Sequence, residues 1–368
     1  MQRRDFLLTS AALAAGVAWP ASRAMAAFDP SPQDGWRTFD VTLRVEVLKP
    51  EGATRVWLPL PSMQAQDWIR PMGNLWQGNA DSAQLLHDRE RGVDMLYGEW
   101  AAEEKPVLEV TSRVATRDRA IDLAHAAAVA PLSAAARRRY TRATKLLPTD
   151  GIVRKTALDI TRSAKTDQGK ARAIYEWVVD NTARNPKTRG CGLGDIRFML
   201  ETGDLTGKCA DLNSLYVGLA RAAGLPARDV YGIRVADSRF GYKSLGKSGD
   251  ITKAQHCRAE VWLSGHGWVP VDPADVRKVM LEEPPGGRGL TDGMVVDVRK
   301  RLFGSWETNW IAYNTAHDLP LPGSRHVTLP FLMYPQAETA DGMLDSLDAA
   351  SFSYRITSKE LSMGSART

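Results

Sequence analysis

Apolar and polar residues alternate from Phe39 to about Val114, and this period of two predicts β-strands. Val41, Leu43, Val45 and Val47 form the clearest run, and Lys49-Pro50-Glu51-Gly52 then turns the chain. Val56, Leu58 and Leu60 continue the alternation, with Pro59 and Pro61 marking an edge or a strand end. Residues 93–97 and 107–111 read as further strands. Several short strands separated by turn signals predict a β-sandwich-like domain over residues 27–125.

After Ala127 the period becomes helical. Ser133 opens a short basic helix, and Thr149 or Asp150 can cap a second one through Ile152, Leu158 and Ile160. Thr166-Asp167 can cap a third, in which Ala171, Ile174, Tyr175, Val178 and Val179 fall on one face. A fourth helix begins near Cys209, with Leu212, Leu215, Tyr216 and Leu219 on one side, and stops at Gly224. Residues 230–235 then read as a strand, and 259–263 and 268–271 as a hairpin turning at Ser264-Gly265-His266-Gly267. Beyond residue 300, Trp306, Trp310, Phe331, Met333, Tyr334, Phe352 and Tyr354 lie in β-like runs and should pack. The pattern therefore predicts an α+β protein with a sandwich-like domain, a mixed core over 126–299 and a β-rich extension over 300–368.

Composition fits a globular chain: 368 residues, 43% hydrophobic and 25% charged, with 11 tryptophans. The formal charge of +5 changes the picture little, because the first 26 residues read as a leader. Arg3-Arg4-Asp5-Phe6-Leu7 precedes a short apolar run, and Ala24-Met25-Ala26 supplies a cleavage site. This resembles a twin-arginine export signal, read by a receptor rather than left in the bilayer. Its removal takes away Arg3, Arg4, Arg23 and Asp5 and leaves a charge of +3, too small to point to nucleic acid. The expected location is the periplasm, with no stable membrane insertion after cleavage.

Three cysteines, Cys191, Cys209 and Cys257, are too few for a disulfide scaffold. In an oxidising compartment Cys191 and Cys257 could pair, leaving Cys209 free. Cys257, next to His256 on a strand, should face the other way. Arg189-Gly190-Cys191-Gly192-Leu193-Gly194 is glycine-rich but lacks the ending of a phosphate loop. His87 and His266 read as surface residues. A metal site built from Cys209, His256 and Cys257 is disfavoured by their spacing, and no cofactor is expected.

Chemistry concentrates on three residues. Cys209 follows Gly207-Lys208 at a helix start, where unpaired N–H groups and the helix dipole favour a thiolate. His256 opens one strand of the hairpin, and Asp272 closes the other, so the turn can bring an imidazole and a carboxylate side by side. A thiolate, a base and an orienting acid form a nucleophilic set.

Four blocks carry a family resemblance: Gly207-Lys208-Cys209-Ala210-Asp211, Leu219 to Arg228, His256 with Glu260-Val261, and Gly267-Trp268-Val269-Pro270-Val271-Asp272-Pro273. In this order, over residues 170–279, they resemble the transglutaminase-like superfamily. The resemblance implies a papain-like α+β core, Cys209 as nucleophile, His256 as general base and acid, and Asp272 as the orienting residue. It implies an acyl-transfer enzyme acting on peptide or carboxamide bonds of a protein or peptide substrate; nothing in the sequence selects the acceptor, and hydrolysis is expected ahead of cross-linking. The family also holds members that have lost catalysis, so an exported binding or assembly protein is the alternative. Arg258 stands where many members carry an aromatic residue, which affects substrate preference more than the triad.

Overall fold

The computed structural model describes residues 35–101, 105–324 and 328–361; the leader lies outside the described residues. Among the described residues, six strands lie between residues 37 and 116: β1 (Arg37–Val47), β2 (Thr54–Pro59), β3 (Ile69–Gly78), β4 (Ser82–Asp88), β5 (Val93–Trp100) and β6 (Val107–Thr116). β3 and β4 escaped the sequence reading because their alternation is weak: both are mostly half-buried or exposed. β2 ends at Pro59, where the missing N–H terminates the ladder.

These strands belong to two five-stranded sheets, and the C-terminal strands take part in both. In one, the order is Gly249–Asp250, Phe352–Leu361, β1, β6, β3. In the other it is Gly342–Met343, Gln336–Thr339, β2, β5, β4. Leu43 stands opposite Ile356, and Val41, Leu43, Val45 and Ile356 are all buried. The residues after 300 are thus divided between the sandwich and the core, because Trp310–Asn314 joins the central sheet of the core.

Seven α-helices follow among the described residues: α1 (Ala134–Thr141), α2 (Gly151–Thr161), α3 (Asp167–Asn181), α4 (Ile196–Thr202), α5 (Cys209–Ala222), α6 (Pro273–Glu282) and α7 (Gly293–Arg301). Ser133 caps α1 by accepting from Ala136 N at 3.1 Å, and Thr166 caps α3 by accepting from Gly169 N at 3.0 Å. The five apolar residues read on α3 are all buried. Every residue of α5 is buried, so it is a central helix rather than an amphipathic surface one. It packs on an antiparallel sheet ordered Gly267–Val271, Gln255–Leu263, Ala227–Arg234, Trp310–Asn314. Leu215, Leu219, Ala259 and Val261 share one apolar cluster beneath it. Full burial of such side chains contributes about 1.5–3 kcal/mol for each large one, enough to fix the helix on the sheet. No helix among the described residues is long and apolar enough to cross a membrane.

Candidate active site

The start of α5 is held by its own third residue. Asp211 Oδ1 accepts from Leu193 N at 3.0 Å and Gly194 N at 2.9 Å, and Oδ2 accepts from Lys208 N at 3.0 Å. Ala210 N donates to Cys191 O at 2.9 Å. The glycine-rich loop is therefore a clamp on the helix start. A Cβ on Gly192 would lie 1.9 Å from Asp211 Oδ2, and one on Gly207 2.4 Å from the same atom. Gly192 also has φ +92°, so both space and backbone demand glycine there. Cys209 is the first helical residue, and its N–H has no acceptor one turn back along the helix.

The hairpin brings the other two residues together. His256 Nε2 lies 2.7 Å from Asp272 Oδ2. Asp272 caps α6, its Oδ1 accepting from Asp275 N at 3.0 Å, so the carboxylate is fixed before it meets the ring. Asn213 Nδ2, one turn along α5 from Cys209, donates to Asp272 Oδ1 at 3.2 Å and to Cys257 O at 2.8 Å. Trp310 Nε1 donates to His256 O at 2.8 Å. The helix of Cys209, the strand of His256 and the helix cap Asp272 are thus tied by side chains of neighbouring elements.

Three charged residues around this pair were not assigned from sequence. Asp275 Oδ2 is 3.4 Å from His256 Nε2, and its Oδ1 is 2.6 Å from Arg234 Nη2. Arg258 Nε is 3.5 Å from Asp272 Oδ2, with its guanidinium 4.7 Å from the Trp310 ring centroid and 5.5 Å from that of Trp306. An acidic residue in the first turn of α6 was the available signal for Asp275. Arg234 lies on a distant strand and had none. Arg258 fills the position noted as a departure from the family, and it sits against the Asp272 carboxylate.

These charges set the protonation states. Burial and the Arg234 guanidinium push the His256 pKa down, but Asp275 and Asp272 outweigh them and raise it to about 9. Burial and Asp275 raise the Asp272 carboxyl, against His256 and Arg258. Burial works against ionised Asp275, yet Arg234 and His256 hold it well below the usual carboxylate range. The Cys209 thiol is drawn well below its ordinary value by hydrogen bonds from Cys191 and Cys257, with His256 adding to them against burial. His256 Nε2 faces the carboxylates, so Nδ1 is the ring nitrogen left for sulfur. Hydrogen bonding to Cys209 and burial raise Cys191, and burial and Cys209 raise Cys257.

All three cysteines are free and buried, so the Cys191–Cys257 disulfide that the sequence left open is not formed. Instead both thiols converge on Cys209. Cys257 turns away from His256, as alternation along a strand requires, towards the apolar cluster that Cys209 shares. His87 is exposed and paired with Asp94, whereas His266 is half-buried. His256, Asp272 and Asp275 have donor atoms within 4.8 Å of one another, a spacing open to a cation, but Arg234 and Arg258 already neutralise those carboxylates.

The profile of the transglutaminase-like superfamily matches residues 154–273, which include α5, His256 and Asp272. An uncharacterized protein of Haemophilus influenzae is 34% identical over 352 residues, covering 88% of this chain and 91% of its own length. Among solved structures, a candidate cysteine protease from Cytophaga hutchinsonii superposes with a TM-score of 0.56 at 13% identity, over 91% of this chain and 93% of that one. That likeness concerns the fold alone. The periplasmic domain of TgpA from Pseudomonas aeruginosa overlaps loosely, with a TM-score of 0.31 at 19% identity, over 61% of this chain and 88% of that one. With the match spanning Cys209, His256 and Asp272, and a relative similar over nearly the whole chain, this chain belongs to the transglutaminase-like superfamily.

Proposed function

We propose that the protein is an exported, periplasmic cysteine acyl-transfer enzyme that hydrolyses peptide or carboxamide bonds. The observation that carries the reading is the 2.7 Å His256–Asp272 contact beside the helix start that holds Cys209. Cys209 is the nucleophile. Its thiolate attacks the carbonyl carbon, and the oxyanion is met by the Cys209 N–H at the helix start. Imidazolium His256 gives its proton to the leaving amine, and the C–N bond breaks to a thioester. Neutral His256 then takes a proton from water, whose oxygen attacks the thioester, and Cys209 leaves as thiolate. Asp272 orients the ring throughout and stabilises its charged form. No metal or cofactor takes part.

The test is alkylation of the purified protein as a function of pH. Cys209 should react at pH 6 much faster than a model thiol of pKa ~8.5. His256→Ala should lower that rate. Unchanged reactivity in His256→Ala, with Cys209 no faster than the model thiol, would remove the nucleophile.

One observation favours a second reading, a catalytically degenerate binding or assembly protein. Cys209 and His256 are each only 4% exposed. Tyr334 and Leu347 stand over Gly190, and Arg189 pairs with Asp345, so the C-terminal segment covers the clamp loop. Under this reading Cys209→Ala leaves the cellular phenotype intact; under the first it abolishes it.

A further inference from the structure

A cleft of about 550 Å³ opens where residues 62–68 of the sandwich face the hairpin of the core. It belongs to the same strand face as the base. His256, Arg258, Glu260 and Trp262 alternate along one strand, so they share a side of the sheet. The first faces Asp272; the last two line the cleft. Four residues of strand place Glu260 about 13 Å from His256.

The floor of this cleft carries surplus positive charge. Glu260 is fully buried between Arg119 and Arg228, the latter at 2.5 Å. Burial works against its ionised form, but the two guanidiniums outweigh it and hold the carboxyl below its usual range. Two cations against one anion leave one positive charge. Arg119 Nε is buried without a hydrogen-bond partner. Arg139 adds a second cation, since its guanidinium donates to the carbonyls of Glu90 at 2.8 Å and Arg91 at 2.7 Å rather than to a carboxylate. The wall is aromatic: Arg228 lies 4.0 Å over the Trp268 ring, and Trp262 meets Trp268 edge-on at 5.5 Å.

We infer that this cleft binds a peptide through a free carboxylate, with an adjoining apolar side chain packed on Trp262 and Trp268. Guanidinium forks match a carboxylate's two oxygens, and indole faces take apolar groups. Asp67 on the rim and Glu260 on the floor oppose a dianion such as phosphate. That the ligand is a peptide rests on the acyl-transfer reading; the carboxylate preference rests on the cleft alone.

The experiment titrates the full-length Cys209→Ala protein by tryptophan fluorescence, so binding is read without turnover. The probes are N-acetyl-Leu-Ala as free acid, the same dipeptide as its carboxamide, and inorganic phosphate at matched ionic strength. The free acid should bind saturably, and the carboxamide and phosphate at least tenfold more weakly. Arg139→Gln, on a half-buried helix face, should weaken the free acid about tenfold, and Trp262→Leu should weaken it while leaving the acid-over-amide preference in place. Equal binding of acid and carboxamide, equal binding of phosphate, or full affinity in Arg139→Gln with an unchanged circular dichroism spectrum would each overturn the site. Binding by Cys209→Ala with no turnover by the parent protein supports the cleft while removing the acyl-transfer reading.

Discussion

His256 carries two carboxylates on one ring nitrogen, and each carboxylate has its own arginine. Two anions and two guanidiniums cancel, so the ring's own charge and the Cys209 thiolate complete a neutral set. Asp272→Asn keeps the shape but loses the charge that stabilises imidazolium; turnover should fall about 10³-fold or more, with little change in KM. Asp275→Asn leaves Arg234 buried beside a neutral group and should cost about 3–5 kcal/mol in urea unfolding. The pH dependence of stability has a definite sign. His256 has its pKa raised from 6.5 to about 9 in the folded protein. Its contribution is therefore fully present below pH 6.5 and is lost as pH rises through about 9. In a Cys209→Ala background, which removes the opposing thiol titration, the urea midpoint should drop between pH 6.5 and 9. Adding His256→Gln should flatten that drop; an unchanged slope would show that other groups produce it.

Between elements, the clamp loop and α5 act as one piece. Asp211 satisfies three backbone N–H groups, two from the loop and one from the helix cap. Asp211→Ala leaves all three without that acceptor and should destabilise the protein by about 2 kcal/mol. Because Cys191 travels with the loop, the same change should slow Cys209 alkylation at pH 6. A fully stable variant with unaltered thiol reactivity would show that the clamp does not set the surroundings of Cys209. The helix start and its glycine were legible in sequence because local spacing encodes them. The clamp was not, since Asp211 also reads as an ordinary first-turn acid that complements the dipole.

Across the whole molecule, the last strand holds the first. Phe352–Leu361 pairs with β1 along ten residues, so N- and C-terminal segments close one sheet. Deleting residues 352–368 would expose β1 as a long edge with its buried face uncovered. Loss of soluble protein is expected, measured by fractionation after expression; a soluble, cooperatively unfolding truncation would mean the sandwich stands without its tail. That the tail aromatics pack was legible in their β-like runs; where they pack was not, because strand pairing across 300 residues leaves no local periodicity.

Local periodicity and spacing determined the strands of β1 and β5, the caps of α1 and α3, and the order Cys209, His256, Asp272. These depend on contacts a few residues apart or on a tight hairpin. Tertiary structure alone decided the rest: the return of the tail into both sheets, the three thiols meeting at one point, the Asp275–Arg234 support of His256, and the arginine cleft. Each of these joins residues far apart in the chain, where burial and charge compensation in three dimensions select the partner. A lysine-flanked cysteine at a helix start is a common local pattern; what sets Cys209 apart is the company that folding brings to it.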